Sequence, residues 1–183
     1  MKTTTTLIKH TDTTWRPLCV YCSSSSGDLL VGMCRRDTDT DTRTFTGKVI
    51  RYDNTGKHKQ TIPHDDNTPH NLYKNPKYIT ENNNGDVLVS DYEAVVVTSG
   101  ERVHRFSYTG PYPALGSRLR PRGICTDVMS HILVSDECTR TVQMLDRNGR
   151  CLSFLLTDRS PGIYLSLIHI SEPTRPLYIS YAV

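Results

Sequence analysis

The sequence lacks the features that usually identify an enzyme or a membrane protein. It has no Gly-x-Ser-x-Gly elbow, no His-Glu-x-x-His pair and no phosphate-binding loop. No apolar run is long enough for a signal peptide or a bilayer span, so we expect a cytoplasmic protein without membrane contact. The net charge of +3 is too small to indicate nucleic-acid binding by itself. The hydrophobic fraction of 36% is sufficient for a packed core.

The sequence also lacks a convincing metal site. Its six cysteines have irregular spacings and no signal peptide precedes them, which favours reduced thiols over disulfides. Cys19 and Cys22 have metal-type spacing, but positions three apart on a strand point to opposite faces. Asp37–Asp41 begins like a calcium loop and then lacks the required glycine. His64–Asp66 and His70 are read as a polar linker, and we expect no metal and no cofactor.

A short strand unit recurs along the chain. Gly85–Asp91 (GDVLVSD) returns as Ser130–Asp136 (SHILVSD), with a weaker copy at Gly27–Met33 (GDLLVGM). The copies begin at residues 27, 85 and 130, so they lie 58 and 45 residues apart. A period of about 40–50 residues built from short strands is typical of propeller blades.

The segments around each copy supply the remaining strands of a blade. Proline opens a strand before the core at Pro76–Thr80 and Pro121–Thr126, a position where its missing N–H costs little. A third apolar run follows each core, then a glycine turn and a fourth strand. The third runs are Lys48–Tyr52, Ala94–Val97 and Thr141–Leu145. The sequence therefore predicts an all-β fold of four-stranded antiparallel blades, about three in number.

These motifs resemble those of NHL-repeat propellers. The resemblance is carried by Asn84–Asp91 and Arg120–Ile124, and extends from about Trp15 to Tyr164. It is strongest for the NHL-like carboxyl-terminal halves of tripartite-motif proteins, especially the expanded mollusc set. We accordingly expect an unassigned segment at 1–14 and, at 15–164, a partial β-propeller with about three of six blades.

The resemblance implies a role in target recognition. Tripartite-motif proteins place a RING finger, B-box zinc modules and a coiled coil before the propeller. The RING recruits the charged ubiquitin-conjugating enzyme and the propeller selects the target. This chain contains none of those modules, so we expect it to have no ligase activity and to oligomerise only through the missing coiled coil. A stand-alone scaffold propeller without a RING is one alternative.

A metal-dependent propeller hydrolase or lyase is the other alternative. Such enzymes draw carboxylates and histidines from several inner strands to a metal at the axis. Glu81 and Asp127 occupy corresponding places after the prolines that open their strands. We expect both to cap strand ends at a turn, not to bind metal.

The end of the chain resembles translated DNA adapter. Leu165–Arg175 matches the in-frame translation of a transposase sequencing adapter, and Ile179–Val183 matches its continuation after an index. We expect no natural domain at 165–183. We expect Pro161–Ile163 to open a further blade of the natural protein. Three blades alone would leave open sheet edges, which predicts an unstable or aggregation-prone piece.

Arginines between two of the blades are the candidate binding residues. In a four-stranded meander, blade-to-blade connections and second-to-third loops emerge at the same end. Arg118, Arg120 and Arg122 should therefore share a face with Tyr92 and Arg140. Arginines near a tyrosine bind phosphate and stack on bases. The resemblance implies a protein target or single-stranded RNA as the partner, and the alternative is an ordinary solvated linker.

Overall fold

The described part of the chain is built entirely from strands. The computed structural model describes residue 8 and residues 12–36, 44–62, 72–111 and 118–157. Within these ranges, the strands are β1 (Arg16–Cys22), β2 (Leu29–Arg36), β3 (Phe45–Tyr52), β4 (His58–Ile62), β5 (Tyr78–Glu81), β6 (Val87–Ser90), β7 (Val95–Thr98), β8 (His104–Tyr108), β9 (Pro121–Thr126), β10 (Ile132–Asp136), β11 (Thr141–Leu145) and β12 (Cys151–Leu156). A search of the same residues for a helix of membrane-spanning length and apolarity finds none.

The strands form three antiparallel sheets of four strands each. Each sheet takes its strands in chain order: β1–β4 is blade 1, β5–β8 is blade 2 and β9–β12 is blade 3. The first strands of the three blades lie side by side, with β5 in contact with both β1 and β9. This arrangement confirms the predicted all-β fold with three four-stranded blades.

The strand register shows that all three blades are copies of one unit. Val31, Val89 and Val134 of the second strands lie opposite Val20, Ile79 and Ile124 of the first strands. Three residues before those partners, each blade has a proline, at positions 17, 76 and 121. The strand starts at prolines 76 and 121 were predicted from the sequence, and the one at Pro17 was not. Pro17 could have identified it, because proline is tolerated at the start of a strand.

Blade 2 is covered on both faces, which explains its continuous apolar strands. Val87 and Val89 pack toward blade 1 around Leu30 and Tyr73. Leu88, which points the other way, packs toward blade 3. Successive side chains on a strand point to opposite faces, so a strand between two blades needs apolar residues at every position.

Asparagine and aspartate side chains organise the tight turns at one end of the blades, here named the hairpin end. Asp53, Asn82, Asp127 and Asp146 each accept backbone N–H groups from two and four residues further along. Such turns hold the chain in the conformation a hairpin needs. Asp127 thus caps a turn, as expected. Glu81 instead forms an ion pair with Arg51 of blade 1.

The hairpin end of blade 1 supports a prediction on acid stability. Asp28 is buried and accepts hydrogen bonds from Lys59 Nζ at 2.8 Å and Arg51 Nη1 at 3.4 Å. The Lys59 hydrogen bond is the main cause that lowers the pKa of Asp28 below 3.8. A depressed carboxyl pKa contributes stability above the unfolded pKa, and that stability is lost as the pH falls through the folded pKa.

We therefore expect Asp28→Asn to lower the free energy of unfolding by about 1 kcal/mol near neutral pH. The difference from wild type should shrink as the pH falls below 3.8. Urea unfolding followed by circular dichroism at a series of pH values measures both. Glu101→Gln, at an exposed carboxylate, is the control. A difference that stays constant with pH would contradict the role given to Asp28.

Candidate functional site

The blade-to-blade connections and the loops between second and third strands lie at the end opposite the hairpin end. We name this end the loop face. Its described residues are Arg16, Arg35, Arg36, Lys74–Lys77, Asp91–Ala94, Arg118–Arg122 and Asp136–Arg140. The predicted site residues all fall within it.

The connection into blade 3 is anchored by a leucine and displays arginines on either side of it. Leu119 is buried between blades 2 and 3, while Arg118 and Arg120 are exposed. The alternation follows from the extended backbone, which turns successive side chains in opposite directions. The arginines are therefore held on a fixed segment, unlike those of an unattached linker.

Arg118 and Tyr92 meet where the loop of blade 2 approaches the connection. Arg118 Nη1 donates to Glu93 Oε1 at 2.9 Å. Tyr92, the residue before Glu93, has 48% of its surface exposed. The ion pair joins residues that are 25 positions apart in sequence, and at such an exposed site it contributes little stability. Its effect is to place an aromatic ring and a guanidinium on neighbouring loops.

Arg122 is paired within blade 3. Its Nη2 donates to Glu137 Oε2 at 2.7 Å and its Nε donates to the same oxygen at 3.1 Å. Arg140, in the same loop as Glu137, is exposed and has a φ of 55°. The structure brings Arg118, Arg120 and Arg122 onto one connection, with Arg140 on the adjacent loop.

Two buried aspartates hold the connections to the blades, a role that the sequence analysis did not identify. Asp91 accepts the backbone N–H groups of Lys74 and Asn75. Asp136 accepts the N–H of Arg120 at 2.9 Å. Asp91 and Asp136 are the final residues of the two Val-Ser-Asp copies. Their recurrence at the same position was the sequence signal for a shared structural role. The third copy has Met33 at this position and lacks the carboxylate.

Asp136 is also the last member of a buried series of hydrogen bonds between blades 2 and 3. Tyr108 Oη donates to Gln143 Oε1 at 2.7 Å, and Gln143 Nε2 donates to Asp136 Oδ2 at 3.4 Å. Burial is the main cause that raises the pKa of Tyr108, so its hydroxyl remains a neutral donor. These hydrogen bonds link blade 2 to Asp136, which holds the connection into blade 3, and they stiffen the loop face.

Lys77 is a further basic residue of this face that our sequence analysis missed. It is the counterpart of Arg122, since each directly follows the proline at the start of its blade. Its backbone N–H donates to Ser90 O at 2.8 Å. Burial lowers the pKa of Lys77, and the nearby charges of Arg122 and Arg120 lower it further. Strands β5 and β9 contact each other, so the three cations lie at the boundary of blades 2 and 3.

The thiols of the inner strands are unsuited to nucleophilic chemistry. Burial raises the pKa of Cys19 to about 12 and that of Cys125 to about 11, so both remain protonated at neutral pH. Within the described ranges, no group of three or more His, Cys, Asp or Glu side chains is arranged to hold a metal ion. Four segments interpreted in the sequence analysis lie outside the described residues, namely 37–41, 64–70, 161–163 and 165–183.

The fold is shared with solved structures of low sequence identity. No protein-family model and no curated protein matches the chain. A protein of unknown function from Bacteroides caccae is 12% identical with a TM-score of 0.58, covering 83% of this chain and 50% of its own. A streptogramin B lyase is 17% identical with a TM-score of 0.51, covering 74% of this chain and 39% of its own. The chain thus spans half or less of these proteins, and it has the all-β, propeller-like fold that they share.

Proposed function

We propose that this chain is part of a target-recognition propeller whose loop face binds a protein partner. The observation that carries the proposal is that Arg118 contacts Glu93, the neighbour of Tyr92, and lies with Arg120 and Arg122 on a connection that Asp136 and Leu119 hold in place. Exposed arginines and tyrosines on a rigid support are the residues most often responsible for affinity in protein interfaces. Loops on such a scaffold vary without cost to the fold.

The proposed context is a RING-type ubiquitin ligase of the tripartite-motif class. The support is the resemblance of the Val-Ser-Asp strands and the Arg-Pro connections to NHL repeats. In that context a RING on the same protein recruits the charged ubiquitin-conjugating enzyme, and this propeller selects the substrate. A scaffold propeller without a RING would use the same face in the same way.

A lyase or hydrolase function has weaker support. One similar structure is a streptogramin B lyase, but fold does not imply function. The two carboxylates considered for a metal have structural partners here. Glu81 pairs with Arg51, and Asp127 is bound to His131 Nδ1 at 2.8 Å and to two turn N–H groups.

Affinity capture with the immobilised full chain tests the binding function. We expect a limited set of proteins from a lysate of the source organism to be retained. The double variant Arg118→Glu/Arg122→Glu should reduce their recovery about tenfold, equivalent to about 1.4 kcal/mol, because like charges would replace attractive ones. Quantitative mass spectrometry of the retained proteins measures the change.

The matched control reverses two arginines at the other end of the blades. Arg147→Glu/Arg150→Glu makes the same change in charge at the exposed hairpin end, and recovery should remain at the wild-type level. Equal losses in both double variants would contradict a binding site on the loop face. Recovery that disappears after ribonuclease treatment would show that RNA is the direct partner.

A further inference from the structure

The boundary between blades 2 and 3 carries a cluster of positive charge, here named the seam cluster and formed by Lys77, Arg120, Arg122 and Glu137. Lys77 and Arg122 stand at equivalent positions at the start of adjacent inner strands, β5 and β9, which contact each other. Arg120 lies two residues earlier on the connection. The cluster therefore draws its cations from two blades.

The backbone of the seam cluster is fixed by hydrogen bonds on both blades. The N–H of Arg120 donates to Asp136 Oδ1, and its carbonyl accepts the N–H of Glu137 at 3.0 Å. The N–H of Lys77 donates to Ser90 O at 2.8 Å. The Arg120 side chain is exposed, and it has no ion pair among the residues that the structure describes. The backbone that carries the cations is therefore in place before a ligand binds, which lowers the entropic cost of binding.

The cluster has an excess of positive charge. Three cations face one exposed carboxylate, Glu137, and that carboxylate accepts two N–H groups of Arg122. Asp91 and Asp136 lie nearby but are buried and accept backbone N–H groups. Arg122 keeps its Nη1 group unengaged within the described contacts. The four side chains of the cluster sum to a formal charge of about +2, which the negative charge of Asp91 reduces at Lys77, and a phosphate monoester carries −1.5 to −2 at neutral pH.

We infer that the seam cluster binds a phosphoserine or phosphothreonine of the protein partner, an inference that rests on the proposed function. Arg120 and the free side of Arg122 supply planar guanidinium donors, and Lys77 supplies a compact charge. Glu137 within the cluster and Glu93 on the neighbouring loop add negative charge to the loop face. Their charges disfavour an extended polyanion such as RNA more than a single phosphoryl group.

Fluorescence anisotropy with defined probes tests the inference on the full chain. The probes are a fluorescein-labelled degenerate nonapeptide library with phosphoserine at its centre, the same library with serine, and a ten-nucleotide oligouridine. We expect the phosphorylated library to bind at least about tenfold more tightly than the serine library. Lys77→Gln and Arg120→Gln should each weaken that binding about tenfold, and Arg147→Gln should leave it unchanged.

Unchanged circular dichroism and urea midpoints would establish that the glutamine variants are folded. Equal binding of the two peptide libraries would overturn the inference, as would equal losses in Arg120→Gln and Arg147→Gln. Tighter binding of oligouridine through Lys77 and Arg120 would assign the cluster to RNA instead. Phosphatase treatment of the lysate separates this inference from the proposed function. Capture that survives treatment would leave the loop face as a binding site and remove the phosphate.

Discussion

The same leucine-to-alanine substitution is expected to have very different costs in two blades. Leu88 and Leu133 occupy equivalent positions, since each is the second residue of the second strand of its blade and pairs with the third strand, at Val97 and Met144 respectively. Leu88 is 0% exposed between blades 2 and 3. Leu133 is only half-buried on the outer face of blade 3. We expect Leu88→Ala to cost about 3 kcal/mol and Leu133→Ala about 1 kcal/mol.

Urea unfolding followed by far-ultraviolet circular dichroism measures both costs at one temperature. Leu30→Ala is the matched control, because Leu30 is the third copy of the same position and is 0% exposed between blades 1 and 2. It should behave like Leu88→Ala. If Leu133→Ala proved as costly as the other two, then the outer face of blade 3 would be covered in solution, by a second copy or by another part of the chain.

Removing an aspartate that holds a blade-to-blade connection (an aspartate tether) is the second substitution with a large expected effect. Asp91→Ala would leave the backbone N–H groups of Lys74 and Asn75 without their acceptor. A fully buried donor without a partner costs about 1–3 kcal/mol, and these two donors are part-buried, so we expect a combined loss of about 3 kcal/mol. Asp136→Ala should cost at least as much, since Asp136 also bonds Thr139 Oγ1 at 2.6 Å and Gln143 Nε2.

Urea midpoints again provide the measurement, with Glu137→Ala as the control for loss of a loop-face carboxylate. Glu137 is exposed and pairs only with Arg122 among the described contacts, so its removal should cost less than about 1 kcal/mol. Asp91→Asn keeps one acceptor oxygen, so its cost in unfolding free energy should lie between those of Glu137→Ala and Asp91→Ala. A cost for Asp91→Ala no larger than that of Glu137→Ala would show that water replaces the tether and that the connection is not held by it.

The fold could be predicted because its signals are local and repeated. Alternating or continuous apolar runs, prolines at strand starts and glycines at turns each depend on a few neighbouring residues. The first strand of blade 1 was missed although Pro17 stands near its start, and its pairing with β2 is irregular between Pro17 and Cys19. The fourth strand of blade 2, His104–Tyr108, has a similar irregularity before Phe106.

The candidate site was predicted only in outline. The expectation that Arg118, Arg120 and Arg122 share an end with Tyr92 and Arg140 required topology alone. The ion-pair partners of these arginines could not be predicted from topology, because Glu93 and Glu137 look like ordinary loop carboxylates in the sequence. Lys77 was overlooked for the same reason. Its importance depends on the packing of β5 against β9, which brings residues about 45 positions apart within reach of each other.

By itself, the sequence determined that this protein consists of repeated four-stranded antiparallel blades, because strand alternation and turn chemistry act over a few residues. Only the tertiary structure decided which faces are buried, which carboxylates are tethers and which cations meet at the boundary of two blades. Those outcomes depend on how one blade packs on the next. Burial and charge pairing arise between residues that are distant in the chain, so no short stretch of sequence contains them.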